Sequence, residues 1–385
     1  MTPGYYNLEL GPTAWTFGTG LGLQYNSNVN LTETNRESDF IFTPQINTRM
    51  LWTVSDRNRL NLSLNAGYSL YVQHSELDQL FINPSQGSEI SFDLYAGDFW
   101  INLHDRFSIT ENPYQDPTVA GSGNASQFQN AVGVTPVWDL NKVTLTSGYD
   151  HINNIPIQGS QSQAAVSEDV FSLSAAYALK PQMQLGLASG LALINQGNTN
   201  ANTTTSVGNG IQWNVGPFFK AQASEYIQVS ANAGYTAFVP ESGGDVNSAD
   251  LSGMYGQLSI NHRLNQYVSY SLAGGRILSV SLYGSATDNY FVNLTANWAL
   301  IQKVSLATSF VYNHGLSPGY NSPGYNSAGS NGEIYDQYGP QVTLSRSLTK
   351  KLSSSLSYQL YWRDSNESGR DYTVNVVSLN LNYTF

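Results

Sequence analysis

Tyr372-Thr-Val-Asn-Val-Val-Ser-Leu-Asn-Leu-Asn-Tyr-Thr-Phe385 is the stretch on which the reading of this chain turns. Counted back from its end, Phe385, Tyr383, Leu381, Leu379 and Val377 are apolar, while Thr384, Asn382, Asn380 and Ser378 between them are polar. A period of two side chains is that of a β-strand with one apolar face and one wetted face. Soluble sandwiches contain such strands too, so the stretch gains weight only if the rest of the chain repeats it.

The chain does repeat it. Trp15, Phe17, Leu21, Leu23 and Tyr25 share one parity, and Gly18, Gly20, Gly22 and Gln24 the other. Leu60, Leu62, Leu64, Ala66, Tyr68, Leu70 and Val72 alternate with Asn61, Ser63, Asn65, Gly67, Ser69, Tyr71 and Gln73. Strands centred near residues 20, 46, 66, 92, 104, 133, 147, 173, 189, 215, 233, 258, 275, 295, 309, 342, 358 and 379 make eighteen, and sixteen if segments near 173, 189 or 275, which Ala or Gly interrupts, fail. Links between them alternate in length. Short ones fall at Ser55–Asn58, Gly97–Asp98, Asn141, Lys180–Gln182, Ser224–Glu225, Asn265–Gln266, Ile301–Gln302 and Thr349–Lys350. Long ones fall near 26–37, 74–87, 111–125, 152–166, 196–205, 240–250, 283–287, 316–333 and 364–371. An antiparallel up-and-down transmembrane β-barrel has this rhythm, with short periplasmic turns and longer external loops. The ending on an aromatic residue resembles the final strand of bacterial outer-membrane β-barrels.

Composition agrees. Only 11% of the 385 residues are charged, against roughly 25% in a typical soluble protein, yet no apolar run is long enough for a membrane helix. Alternation averages lipid-facing and lumen-facing residues to this composition. The 34 glycines suit turns and crowded strand sites, and the 25 tyrosines suit a membrane interface. With no cysteine there is no disulfide frame or thiolate site, and a net charge of -11 argues against a nucleic-acid partner. The opening Met1-Thr-Pro-Gly-Tyr-Tyr has neither basic nor apolar leader regions. An exported protein of this sequence is therefore expected to have lost its signal peptide. The expected organisation is one barrel domain over 1–385, with a short periplasmic segment over about 1–12 and both ends periplasmic.

Leu23-Gln-Tyr-Asn-Ser-Asn-Val-Asn30 followed by Ser38-Asp-Phe-Ile-Phe-Thr-Pro44 resembles the opening of the β-barrel porins found with exopolysaccharide and protein-sorting gene clusters. The Asp56-Arg-Asn-Arg-Leu60 turn and His104-Asp-Arg-Phe107 with Asn112-Pro113 are similar to that group as well. The resemblance covers about the first third of the chain. It implies an outer-membrane barrel linked to polysaccharide traffic and brings no catalytic residues.

Five residues fall on the lumen parity with a charge or an imidazole: Arg49, Asp93, His104, Arg106 and Arg363. Strands carrying the first four are near neighbours, so these side chains are candidates for a charged constriction, the alternative being a salt-bridged patch without a role in selectivity. Arg276 falls on the apolar parity after Gly274-Gly275, which points to a glycine bulge that turns it inward, or else to snorkelling. A tandem Ser317-Pro-Gly-Tyr-Asn321 and Ser322-Pro-Gly-Tyr-Asn326 displays Tyr320 and Tyr325 at equal intervals in an external loop, where aromatic rings can stack on sugars. Five scattered histidines form no set that reads as catalytic or metal-binding, so neither enzyme nor cofactor is expected.

The expected function is a passive outer-membrane channel for small polar solutes or ions. Two alternatives stand beside it: an exit pore for exopolysaccharide, and a structural or surface-interaction barrel with a closed lumen. Partners on these readings are outer-membrane lipid and lipopolysaccharide, the solute, and a second copy or a periplasmic protein. Selectivity is contested within the sequence. Long loops are acidic, whereas Arg49, Arg106 and Arg363 outnumber Asp93 among the inward mid-strand charges. The expected balance is a weak cation preference that fades or reverses as salt screens the loops.

Overall fold

The computed structural model describes residues 6–83, 88–109, 113–121, 126–157, 165–196, 209–241, 251–280, 286–317 and 332–385. Twenty strands follow in chain order: β1 Leu8–Leu10, β2 Thr13–Asn26, β3 Asp39–Thr53, β4 Arg59–Tyr71, β5 Gln79–Ile82, β6 Glu89–Ala96, β7 Phe99–Ile109, β8 Gln127–Asp139, β9 Val143–Pro156 and β10 Val166–Lys180. The second half contributes β11 Met183–Gln196, β12 Gly210–Gln222, β13 Ile227–Pro240, β14 Leu251–Arg263, β15 Val268–Val280, β16 Ala286–Ile301, β17 Val304–Ser317, β18 Glu333–Ser347, β19 Leu352–Ser365 and β20 Tyr372–Thr384. From β2 onward each strand pairs antiparallel with its successor, except that β5 and β6 do not pair with each other, and β20 returns to β2, from Gly18↔Thr384 to Asn26↔Val376. β5 and β6 share one place in the ring, both lying between β4 and β7, so the closed wall has eighteen positions. Closure is the physical point: a ring of strands leaves no backbone edge unpaired.

The wall is turned inside out relative to a soluble protein. Leu21, Leu23, Ile46, Leu103, Leu173, Leu187, Leu258, Val342, Leu356 and Leu379 are all exposed, each on the outward parity of its strand. Aromatic pairs ring this apolar band. Phe99–Trp138 lies toward the short-turn end, and Tyr25–Phe40, Trp213–Tyr235 and Tyr338–Trp362 lie toward the long-loop end. Such a band between two girdles is the surface of a barrel built for lipid. Inward positions carry hydrogen-bonding side chains instead. Gln45 and Asn382 reach over Gly20 of the strand between them and bond at 3.1 Å; a β-carbon at residue 20 would collide with both.

Connections keep the rhythm of the sequence, and the interrupted segments near 173, 189 and 275 form the full-length strands β10, β11 and β15. Two details differ. Residues 79–82, expected in a loop, form β5, because Phe81 folds over the bare face of Gly67 on β4. The bulge expected at Arg276 does not occur. β15 pairs in unbroken register with β14 and β16 through Gly274, Gly275 and Arg276, so Arg276 keeps the outward parity. Its charge is met by a two-pronged ion pair with Asp288, at 2.8 and 2.7 Å.

At the seam, β20 pairs with β2 only from Gly18 onward, and β1 covers Thr13–Trp15 of the remaining β2 edge. Asn7 joins the two pieces. Its side chain donates to the carbonyls of Phe17 and Phe385 and accepts from the Phe17 N–H.

Candidate functional site

Three tiers of polar side chains line the inner face of β3–β9. In the upper tier, register places Arg49, Ser63, Glu89 and Arg106 side by side on β3, β4, β6 and β7. Arg106 Nε donates to Glu89 Oε2 at 2.9 Å. Arg49 is exposed toward the lumen and makes no hydrogen bond or ion pair among the described residues. In the middle tier, His104 is buried between Asn102 Oδ1, 2.9 Å from Nδ1, and Asp150 Oδ1, 2.7 Å from Nε2. His104 and Asp150 sit on β7 and β9 and meet across β8 because Gly133 has no side chain; a β-carbon there would strike both. In the lower tier, Asp93 accepts from Trp100 Nε1 at 3.0 Å and Asn102 Nδ2 at 2.9 Å. Asn102 thus links the lower tier to the middle one. Four of the five residues singled out in the sequence share this wall.

Arg363 does not. It faces inward, but its side chain is fully buried, so it lines no open water. What covers it is the segment 113–121, part of the long connection between β7 and β8, which crosses to the far wall as a strap. Arg363 Nε donates to the Pro117 carbonyl at 2.8 Å, Arg370 Nη2 to the Thr118 carbonyl at 2.8 Å, and Gln337 Nε2 to the Tyr114 carbonyl at 3.1 Å. Both arginines converge on the buried Glu333, at 2.6 and 2.7 Å. The Arg363 guanidinium also lies 4.6 Å from the Tyr335 ring centroid. Within the strap, Asp116 accepts from the Thr118 hydroxyl and backbone N–H. Burial pushes the Asp116 carboxyl above the usual carboxylate range, against those hydrogen bonds and the attraction of Arg363.

An apolar core under the strap completes the joint. Tyr114, Val119 and Ala120 pack with Leu31 against the inward faces of Tyr361, Tyr372, Val374 and Val376. Leu31 belongs to the β2–β3 connection, which is tied to the same place: the Leu31 carbonyl accepts from Gly121 N at 2.8 Å and Asn28 Nδ2 donates to the Thr373 carbonyl. Two long connections therefore occupy the lumen in front of β18–β20. The sequence reading missed Tyr114 and Gln337, and took Asp116, Glu333 and Arg370 as charges of the external loops, whereas Glu333 is buried between two arginines and Asp116 and Arg370 belong to the strap joint. One signal was present: near Tyr361-Trp362 and Val374–Val377 both parities become apolar, which a strand with lipid on one side and water on the other has no use for. Tyr320 and Tyr325 lie outside the described residues.

No family model matches the chain, and a search of curated proteins finds no relative. Solved structures do resemble it. OccK2 (OpdF) of Pseudomonas aeruginosa superposes with a TM-score of 0.54 at 11% identity over 98% of both chains. OccK5 (OpdH) of the same organism gives 0.52 at 10% identity, over 98% of this chain and 99% of that one. OccAB3 of Acinetobacter baumannii gives 0.50 at 12% identity, over 96% and 99%. At such identities the likeness is one of fold, the closed antiparallel barrel of eighteen strands, and it extends over essentially the whole chain.

Proposed function

We propose that the protein is a porin-like channel in a bacterial outer membrane, passing small polar solutes or ions by diffusion. One observation carries the reading: the wall is closed, apolar outside and lined inside by polar groups that bond mostly to one another. Eighteen strands enclose a lumen too wide for side chains alone to fill, and here the strap narrows it from one side. The short turns lie on the periplasmic face in this reading, as the short turns of such barrels do.

Selectivity follows from which charges remain open. Arg363 and Arg370 are spent on Glu333 and the strap, and Arg106 on Glu89. Among the described residues, Arg49 and the Glu89-bound but 55% exposed Arg106 are the mid-strand arginines open to the lumen, set against Asp93 and the pair His104–Asp150 below them. OccK2 has been crystallised with glucuronate, and Arg49 offers a comparable carboxylate an unpaired point of attraction on the wall. A nearly balanced wall discriminates weakly, so the acidic loops tip the channel toward cations at low salt. The exopolysaccharide reading draws no support from the described residues. Planar-bilayer recordings decide between channel and closed barrel. Stable conducting steps are expected, and a heat-modifiable protein without conductance would leave only a structural role.

A further inference from the structure

β14 and β15 part company near the long-loop end. Their pairing runs from Arg263↔Ser269 to Gly256↔Arg276 and stops there. Beyond it, β14 continues to Leu251 against β13, and β15 continues to Val280 against β16. The wall thus has a notch between two strand edges.

β15 has been drawn inward at this point. Leu278 shares the parity of the outward-facing Leu272, so a straight β15 would present it to lipid. Instead Leu278 packs against Val166, Ile194 and Phe238, which are buried on the inner faces of β10, β11 and β13. Its carbonyl accepts from Gln212 Nε2 of β12 at 3.2 Å. Arg276 fills the notch. Nη1 donates to the Met254 carbonyl on the open edge of β14 at 3.0 Å, and the other nitrogens hold Asp288. Gly253 makes room, since a β-carbon there would stand 3.0 Å from Nη2. Met254, on the outer lip, is 71% exposed. An open strand edge and a guanidinium at the upper margin of an apolar band both cost free energy.

We infer that the notch is a lateral portal for an anionic amphiphile. The acyl chain passes between β14 and β15 to the Val166–Ile194–Phe238 cluster, and the carboxylate or phosphate head takes the place of Asp288 on Arg276. An acyl chain matches both sides of the opening, which is apolar at the Met254 lip and apolar again at the cluster within. A small polar solute has no use for such a route, because the lumen already serves it. The inference rests on the barrel spanning a membrane, and the conductance arm of the experiment tests that part separately.

The full chain is reconstituted into phosphatidylethanolamine vesicles with palmitate carrying a diazirine on its chain, or with phosphatidylglycerol carrying the same group. After irradiation, adducts are located by mass spectrometry. The expected result is labelling of the inward-facing Ile194 and Phe238, and the probe that labels them identifies a free acid or a membrane lipid as the source. Labels confined to outward residues such as Met254 and Tyr290 would overturn the portal. In the double variant Arg276→Gln with Asp288→Asn, which leaves no buried charge unpaired, inner labelling by palmitate should fall about fivefold or more, as loss of a charge-assisted contact demands. Labelling by the uncharged methyl ester should hold. Equal inner labelling by the acid in variant and parent would remove Arg276 from the path and with it the anionic head. Potassium conductance and heat-modifiable migration report folding and the channel independently. If the double variant fails both, the pattern on the parent protein decides alone.

Discussion

Arg363 shows what burial does to a charge in this molecule. Its guanidinium is fully covered and has partners from three stretches of chain: Pro117 on the strap, Glu333 on β18 and the Arg370 carbonyl beyond β19. Replacing it by leucine leaves Glu333 with one arginine and frees the strap carbonyl. A loss of about 3 kcal/mol or more is expected, the usual cost of breaking a buried pair from one side, read as a lower temperature for heat-modifiable migration. Single-channel conductance should rise in the same variant, because the strap loses one of its tethers and keeps those at Arg370, Gln337 and Leu31. Asp116 adds a pH dependence whose sign is fixed. Its folded-state pKa is raised, so the docked strap is favoured when the carboxyl is protonated, and that support is lost as pH rises through the raised value. Closures of the channel should accordingly lengthen as pH falls through that raised value. Asp116→Asn should flatten the profile at its low-pH level, and an unchanged profile in that variant would assign the dependence to other groups.

Elements were legible to the extent that one rule governed them. Strand positions and short turns could be read because lipid outside and water inside impose period two on every strand, Leu60–Val72 as plainly as Val377–Phe385. Arg276 was misread because a charge on the lipid face looks like an error of register until its partner, Asp288 on the next strand, is known. The strap was hidden for a different reason. Gln337 and Tyr114 bond across 223 residues of sequence, and nothing local marks a loop that will fold inward. The seam belongs at this scale too. Asn7 donates to Phe385 and exchanges bonds with Phe17, so Asn7→Ala should cost about 1–3 kcal/mol through unsatisfied seam groups. The same variant is expected to lose protection from hydrogen exchange in residues 13–17 first. If exchange there stays as slow as in β9, the joint is held by the strands alone.

For the whole molecule, selectivity is a sum over distances. In the proposed channel, loop carboxylates act through water and are screened beyond about 8 Å at physiological salt, whereas Arg49 acts at the wall on whatever passes it. A weak cation preference at low salt, fading or reversing as salt rises, is expected in reversal potentials taken at two mean ionic strengths. Arg49→Gln should weaken the reversal and leave the low-salt value nearly unchanged, with Arg106 still open on the same wall. Strong anion selectivity at low salt would refute the acidic mouth.

The strap has one more consequence, for the shape of the route. It leaves the wall at Ile109 and returns at Ser126, yet between them it is fastened to β18, β19 and β20. In plan it is a chord, and a chord divides a circle unequally. The smaller sector lies over β2–β6, directly above Arg49 and Glu89, and the larger lies over β9–β17. On the proposed channel reading, a solute descending through the larger sector meets Asp150 on β9 directly and reaches Arg49 and Glu89 by turning sideways beneath the chord. The proposed channel is then expected to sort by stiffness as well as by width and charge: a short or pliant solute follows the bend, and a long rigid one of the same cross-section does not.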